Sequence, residues 1–158
     1  SGAALGMHVL AWSQNMTPEA AQASGARLVS KDELLAQSDA VSLHVVLSER
    51  TRGLVGAREL ALMKPGAILV NTSRGPLVDE AALIDAVRTG RVVAALDVFD
   101  REPLPADHPL RSLPGTVLTP HQGYGVREVY AQFYGESIEN IVAFLDGRRA
   151  RLLNPEVL

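Results

Sequence analysis

The sequence contains no cysteine. Disulfides, zinc-thiolate sites, iron-sulfur clusters and cysteine nucleophiles are therefore excluded, and a reducing compartment, by default the cytoplasm, is the expected location. Neither sign of charge dominates. Fifteen Lys plus Arg stand against 18 Asp plus Glu, a net charge of -3, which gives no basic footprint for a nucleic-acid backbone. Aromatic residues are only 4% of the chain, and no Lys/Arg cluster is interleaved with them, so nucleic acid is not an expected partner. Long apolar runs are missing too: residues 92–96 and 141–145 are the longest, at five residues each, against roughly 20 for a bilayer-spanning helix. No membrane partner is expected. What is present is ordinary for a globular chain, 47% apolar and 21% charged residues in a length of 158, which suits one domain.

Residues 1–7 lack the basic flank and apolar core of a secretory signal and read as the end of a helix stopped at Gly6. His8, Val9, Leu10, Ala11 and Trp12 then predict a buried strand, so the chain enters mid-fold. Thr17, Pro18 and Glu19 supply an N-cap, an N1 proline and a first-turn acid for a helix to about Ala23, stopped by Gly25. Residues 27–29 predict a short strand, and Ser30 with Glu33 has capping-box spacing ahead of a helix to about Ser38. Strands are expected at 40–46, 67–70, 92–96 and 117–118, with a brief helix at 58–63 closed by Pro65-Gly66. Residues 79–89 put Ala82, Leu83, Ala86 and Val87 on one helical face before Gly90. Residues 100–114 hold four prolines and are expected to be irregular. A final helix, about 126–146, sets Val129, Phe133, Ile138, Ile141, Val142 and Leu145 at helical spacing and stops at Gly147. Trp12, Tyr124, Tyr130, Phe133, Tyr134 and Phe144 include candidates for a dimer face, but most are expected in ordinary core packing, with Tyr124 the exception, bordering the site. The fold class is α/β, a doubly wound parallel sheet covered by helices on both faces.

Ligands in such sheets bind beyond the carboxyl ends of the strands. That rim carries Ser13 and Gln14, His44 to Val46, Asn71 to Arg74, Asp97 with Glu102, and His121. An arginine, a carboxylate and a histidine placed together can anchor a substrate carboxylate and run general acid-base chemistry. His8 is expected to be structural, His44 to be packing or cofactor contact, and His108 beside Asp107 has too few neighbouring ligands for a metal.

Residues 71–80, NTSRGPLVDE, are followed in order by AALDVF at 94–99, Glu102-Pro103-Leu104 and Thr119-Pro120-His121. Together with SDAVSLH at 38–44 and the Thr51-Arg52-Gly53-Leu54 turn, these motifs resemble the D-isomer-specific 2-hydroxyacid dehydrogenases over essentially the whole chain. The resemblance implies a two-domain enzyme that moves hydride between NAD or NADP and a small 2-keto or 2-hydroxy acid. Carried over by residue, Arg74 binds the substrate carboxylate and keto oxygen, His121 protonates that oxygen, and Glu102 hydrogen-bonds His121 and favours its protonated form. Ser13, His44, Val45, Val46, Thr51, Thr72, Ser73, Arg74, Asp97, His121 and Gly123 are implied to line the cofactor cleft. Glutamate at 102 favours a hydroxyacid over formate, since the related formate dehydrogenases are expected to carry glutamine there. A homodimer is implied, and no metal. The rival reading is a non-catalytic nucleotide-sensing or oligomerisation module of the same fold.

The glycine-rich GxGxxG turn that brings backbone amides to a pyrophosphate is not in this sequence. The chain therefore reads as the C-terminal portion of a longer enzyme, with 1–146 a partial dinucleotide-binding domain and 147–158 a tail that packs on a substrate domain. By itself it is expected to turn over no substrate. Position 13, where a carboxylate would hold the ribose 2′-hydroxyl of NAD, is Ser13. This admits NADP, but no arginine is adjacent in sequence, so the preference stays open. Val46 replaces a proline often expected in its loop.

Overall fold

The structure is a computed structural model and describes residues 2–157. Ser1 and Leu158, the outer ends of the expected opening helix and tail, lie outside them. The described chain forms two compact units, one running to His121 and one beginning at Gln122.

The first unit opens with a short 3-10 turn, Gly2–Leu5, closed at Gly6 with φ 78°. Strand β1 (Leu10–Ala11) leads to helix α1 (Pro18–Ala23), whose Thr17 cap accepts from the Ala20 N–H at 3.2 Å, and then to β2 (Arg27–Leu28). Helix α2 (Lys31–Gln37) begins with the expected capping box, Ser30 and Glu33 each holding the other's N–H. Beyond it come β3 (Ala40–Leu43), α3 (Ala57–Leu62), β4 (Ala67–Asn71), α4 (Glu80–Arg88), β5 (Val92–Leu96) and β6 (Thr116–Leu118). Asp79 caps α4 through the Ala82 N–H, and the proline-rich stretch is irregular apart from a 3-10 turn at Pro109–Arg111.

All strand pairs are parallel, so the chain has the α/β, Rossmann-like character that alternating strands and helices predict. They form two sheets: β3-β4-β5-β6 in that order, and β1-β2 apart. One face of the larger sheet is the core. Val41, Leu43, Leu69, Ala94 and Leu96 are all buried there with Leu60, Met63, Leu83 and Val87 of the helical layer. The alternate residues are less covered, with Ile68 41% and Val117 62% exposed. Two expectations are corrected. The buried strand at 8–12 shrinks to two half-buried residues, because β1 has a partner on one edge only among the described residues. The strand at 40–46 ends at Leu43, since His44 to Val46 leave the ladder to start a loop.

The second unit is built on α5 (Arg127–Leu145), stopped at Gly147 with φ 66°. Arg151 ties the following turn back to Glu139 and, at 3.0 Å, to Asn140. Tyr124, Tyr130, Phe133, Tyr134 and Phe144 are exposed, and so are Ile138, Ile141, Val142 and Leu145; within α5 only Ala143 is buried. The expected core packing of Tyr130, Phe133, Tyr134 and Phe144 is corrected accordingly: helical spacing fixes which residues share a face and does not supply the surface that covers it. No helix among the described residues is long and apolar enough to cross a membrane.

Candidate active site

The site grows from the carboxyl ends of β4, β5 and β6, where the backbone leaves the buried ladder and side chains gain access to solvent. β4 ends in Asn71, 1% exposed. Its amide donates to the Arg74 carbonyl at 2.8 Å and its oxygen accepts the Ser73 N–H at 3.1 Å, so one side chain fixes the four-residue loop that carries Arg74. The Ser73 hydroxyl donates to the Leu43 carbonyl at 2.7 Å, tying this loop to the end of β3. At Gly75 the loop meets the backbone following β5. A Cβ there would lie 2.1 Å from the Phe99 carbonyl carbon, so only glycine fits.

That contact sets the next turn. The Phe99 N–H donates to Glu102 Oε1 at 2.9 Å, which aims the other carboxylate oxygen at His121, 2.6 Å from Nδ1. Both side chains are partly exposed, 34% and 39%. Burial pushes the Glu102 carboxyl up, but the hydrogen bonds from His121 and Phe99 and the charges of His121 and Arg74 outweigh it, so the group lies below its ordinary value. An ionised Glu102 accepts from Nδ1–H, which leaves Nε2 as the ring nitrogen for other work. His121 sits at φ 52°, a left-handed conformation that non-glycine residues rarely adopt. Asp97, at the end of β5, is 6% exposed and accepts from the Thr119 hydroxyl.

On the same rim a cavity of about 420 Å³ opens between β1 and the loop after β3. Trp12, Ser13, Gln14 and Asn15 form one wall, and His44 to Val46, Ser48, Arg50, Thr51 and Leu54 the other. Thr51 holds that second wall together: its hydroxyl donates to the Val46 carbonyl at 2.7 Å and accepts the Ser48 N–H at 2.8 Å. Hydrogen bonds from Gly53 and Val55 to Pro76 and Leu77 then join this loop to the one bearing Arg74.

The sequence profile of the NAD binding domain of the D-isomer specific 2-hydroxyacid dehydrogenases matches residues 1–123. This chain belongs to that family. It is 43% identical over 159 aligned residues to a glyoxylate reductase of Aeropyrum pernix, with 99% of this chain and 48% of that protein covered. A glyoxylate/hydroxypyruvate reductase B of Escherichia fergusonii is 40% identical, with 96% and 47% covered. Among solved structures, a phosphoglycerate oxidoreductase of Vibrio cholerae superposes with a TM-score of 0.85 at 36% identity, over 92% of this chain and 47% of that one. The chain thus spans about half the length of the curated relatives it matches.

The family's cofactor can be tested against the residues present. The cavity lies within the roughly 300–1,000 Å³ usual for small-molecule sites and mixes apolar walls with donors from Ser13, Gln14, Asn15 and Arg50. These suit an adenosine group. The sequence has no GxGxxG turn to cradle the pyrophosphate between the two ends of a dinucleotide.

The structure gathers the implied residues into two groups, Arg74, Glu102 and His121 with Asp97 at one, and Ser13, His44, Val45, Val46 and Thr51 at the other. Ser73 serves the loop through its hydroxyl, Thr72 is exposed, and Gly123 falls in the second unit. Gly75 and Arg50 were not singled out by sequence reasoning, and Asn71 was placed on the rim without its role in holding the loop. Asn71 stands inside the NTSRGP motif and was legible as part of it. Gly75 answers to backbone 24 residues away, and Arg50 to a wall 37 residues away, so no local signal marks either.

Proposed function

We propose that this chain is the cofactor-binding and proton-transferring part of a longer NAD(P)-dependent D-2-hydroxyacid dehydrogenase whose substrate is a small 2-keto acid of the glyoxylate or hydroxypyruvate kind. The observation that carries it is the 2.6 Å His121–Glu102 pair, set within the field of Arg74. A bound nicotinamide supplies or accepts the hydride. Everything else falls to the chain's own groups. The Arg74 guanidinium offers a planar fork to the substrate carboxylate and draws electron density from the neighbouring carbonyl. Glu102 accepts from Nδ1–H of His121 and fixes the ring, so that Nε2 donates a proton to the carbonyl oxygen during reduction and takes it back during oxidation. Two neighbouring names, the glyoxylate and the glyoxylate/hydroxypyruvate reductases, support the substrate kind.

The test is turnover in the longer enzyme. His121→Asn should lower kcat for NAD(P)H-dependent reduction of glyoxylate or hydroxypyruvate by about 10²–10⁴-fold, the usual yield of a positioned general acid. Cofactor affinity, measured by equilibrium titration of NADPH fluorescence, should change less than about threefold, because the imidazole acts on the substrate oxygen rather than holding the nucleotide. An unchanged kcat would remove His121 from the reaction and with it this reading.

A further inference from the structure

The cavity between β1 and the loop after β3 holds one arginine and no carboxylate. We infer that it selects the 2′-phosphorylated cofactor, NADPH over NADH, and that Arg50 makes the selection. The inference rests on the reading of this cavity as the adenosine end of the cofactor cleft, and goes beyond it by assigning the ligand's charge.

Discrimination between the two cofactors is a matter of charge at a single ribose oxygen. A carboxylate at the end of the strand accepts from a free 2′-hydroxyl and repels a 2′-phosphate, while a nearby arginine does the reverse. Here the strand end offers Ser13, Gln14 and Asn15, hydroxyl and amide groups that can donate to phosphate oxygens without repelling them. The opposite wall supplies Arg50, the one formally charged side chain in the lining. Glu49, its sequence neighbour, is not part of the lining. Arg50 is exposed and makes no ion pair or hydrogen bond among the described residues, so its guanidinium is not spent on the protein and presents a full fork of donors to an incoming anion. The wall bearing it is braced by Thr51 next door, whose hydroxyl spans the Val46 carbonyl and the Ser48 N–H. Ser13 and Arg50 are far apart in sequence, and only the fold brings the turn after β1 and the loop after β3 to one cavity.

The chain has a single tryptophan, and Trp12 lies in the lining, so nucleotide entering the cavity is read directly from intrinsic fluorescence, without turnover. The probes are adenosine 2′,5′-bisphosphate and ADP, titrated against the protein and its Arg50→Ala variant. The bisphosphate is expected to bind at least tenfold tighter than ADP, with a preference that falls as salt rises. In Arg50→Ala the two affinities should come within about twofold, chiefly by loss of bisphosphate affinity. Equal affinities in the unaltered protein overturn the selection and leave the adenosine reading standing. A preference that survives in Arg50→Ala overturns the role of Arg50. No fluorescence response to either probe at millimolar concentration overturns the adenosine reading and the inference together. As a converse, Ser13→Asp should reverse the preference in favour of ADP, and failure to weaken the bisphosphate would also count against the inference.

Discussion

Residues 92–96, VVAAL, and 8–12, HVLAW, both predict buried strands of five residues, and they become different objects. In β5 every second residue, Val92, Ala94 and Leu96, is 5% exposed or less, and the strand is paired along both edges. In β1 the regular strand is two residues long, half-buried, and paired along one edge. An apolar run states a capacity to be a strand; the number of neighbours decides how much of it is used. The two ends of the site inherit this contrast. Arg74 and Glu102 stand on loops wired to β4 and β5 by Asn71, Gly75 and Phe99, whereas Ser13 and Arg50 stand on an open cavity wall. A proton-transfer group needs placement to a fraction of an ångström, and a phosphate contact tolerates more.

The change that would break the wired end most severely is Gly75→Ala. The new methyl would meet the carbonyl carbon and oxygen of Phe99 at 2.1 and 2.2 Å, and backbone cannot turn aside as a rotamer can. A loss of about 4 kcal/mol or more in urea unfolding is expected, with the Arg74 and Glu102 loops displaced together. A loss under about 1 kcal/mol would show that the two loops are not held against each other.

The contrast itself is sharpened by the same substitution on either side of it. Leu69, 0% exposed at the centre of β4, should cost about 3 kcal/mol as Leu69→Ala, because the helical layer packed on it cannot collapse into the space. Leu10, half-buried in β1, should cost about 1 kcal/mol as Leu10→Ala, in proportion to the smaller area it removes from water. Equal losses would erase the distinction drawn between the two sheets.

Most of the larger sheet was legible because its signals are local. Ser30 with Glu33 and Thr17 with Pro18 each marked a helix start by its own chemistry, and each cap is present. The rim residues Arg74, Glu102 and His121 were legible as members of ordered motifs. What escaped is non-local. The exposure of Phe133 and Ile138 on α5 depends on what covers a face, and the closing of Arg50 on Ser13's cavity depends on where two strands lie. Neither is encoded in a window of neighbouring residues.

An effect between those of Leu69→Ala and Leu10→Ala tests whether polar wiring also reaches the helical layer behind the sheet. Glu59 in α3 accepts from Lys31 of α2 at 2.9 Å, from the Gly56 N–H at 3.2 Å and from Arg58 at 3.0 Å. Burial of its side chain, 12% exposed, pushes the carboxyl up, yet the hydrogen bonds from Lys31, Gly56 and Arg58 prevail and hold it at about 2 against an ordinary 4.5. A group depressed in this way stabilises the fold fully above its unfolded value. That contribution drains away as pH falls from about 4.5 through about 2, as protonation removes the charge the three donors hold. Allowing for solvent around the Lys31 and Arg58 heads, it is on the order of 2 kcal/mol. Urea unfolding at about pH 6 should therefore find Glu59→Gln less stable than the unaltered protein by roughly that amount, and the gap should close by about pH 2. A gap of constant size across that range would mean that the carboxylate acts through shape and packing, and that the link from α2 to α3 owes nothing to its charge.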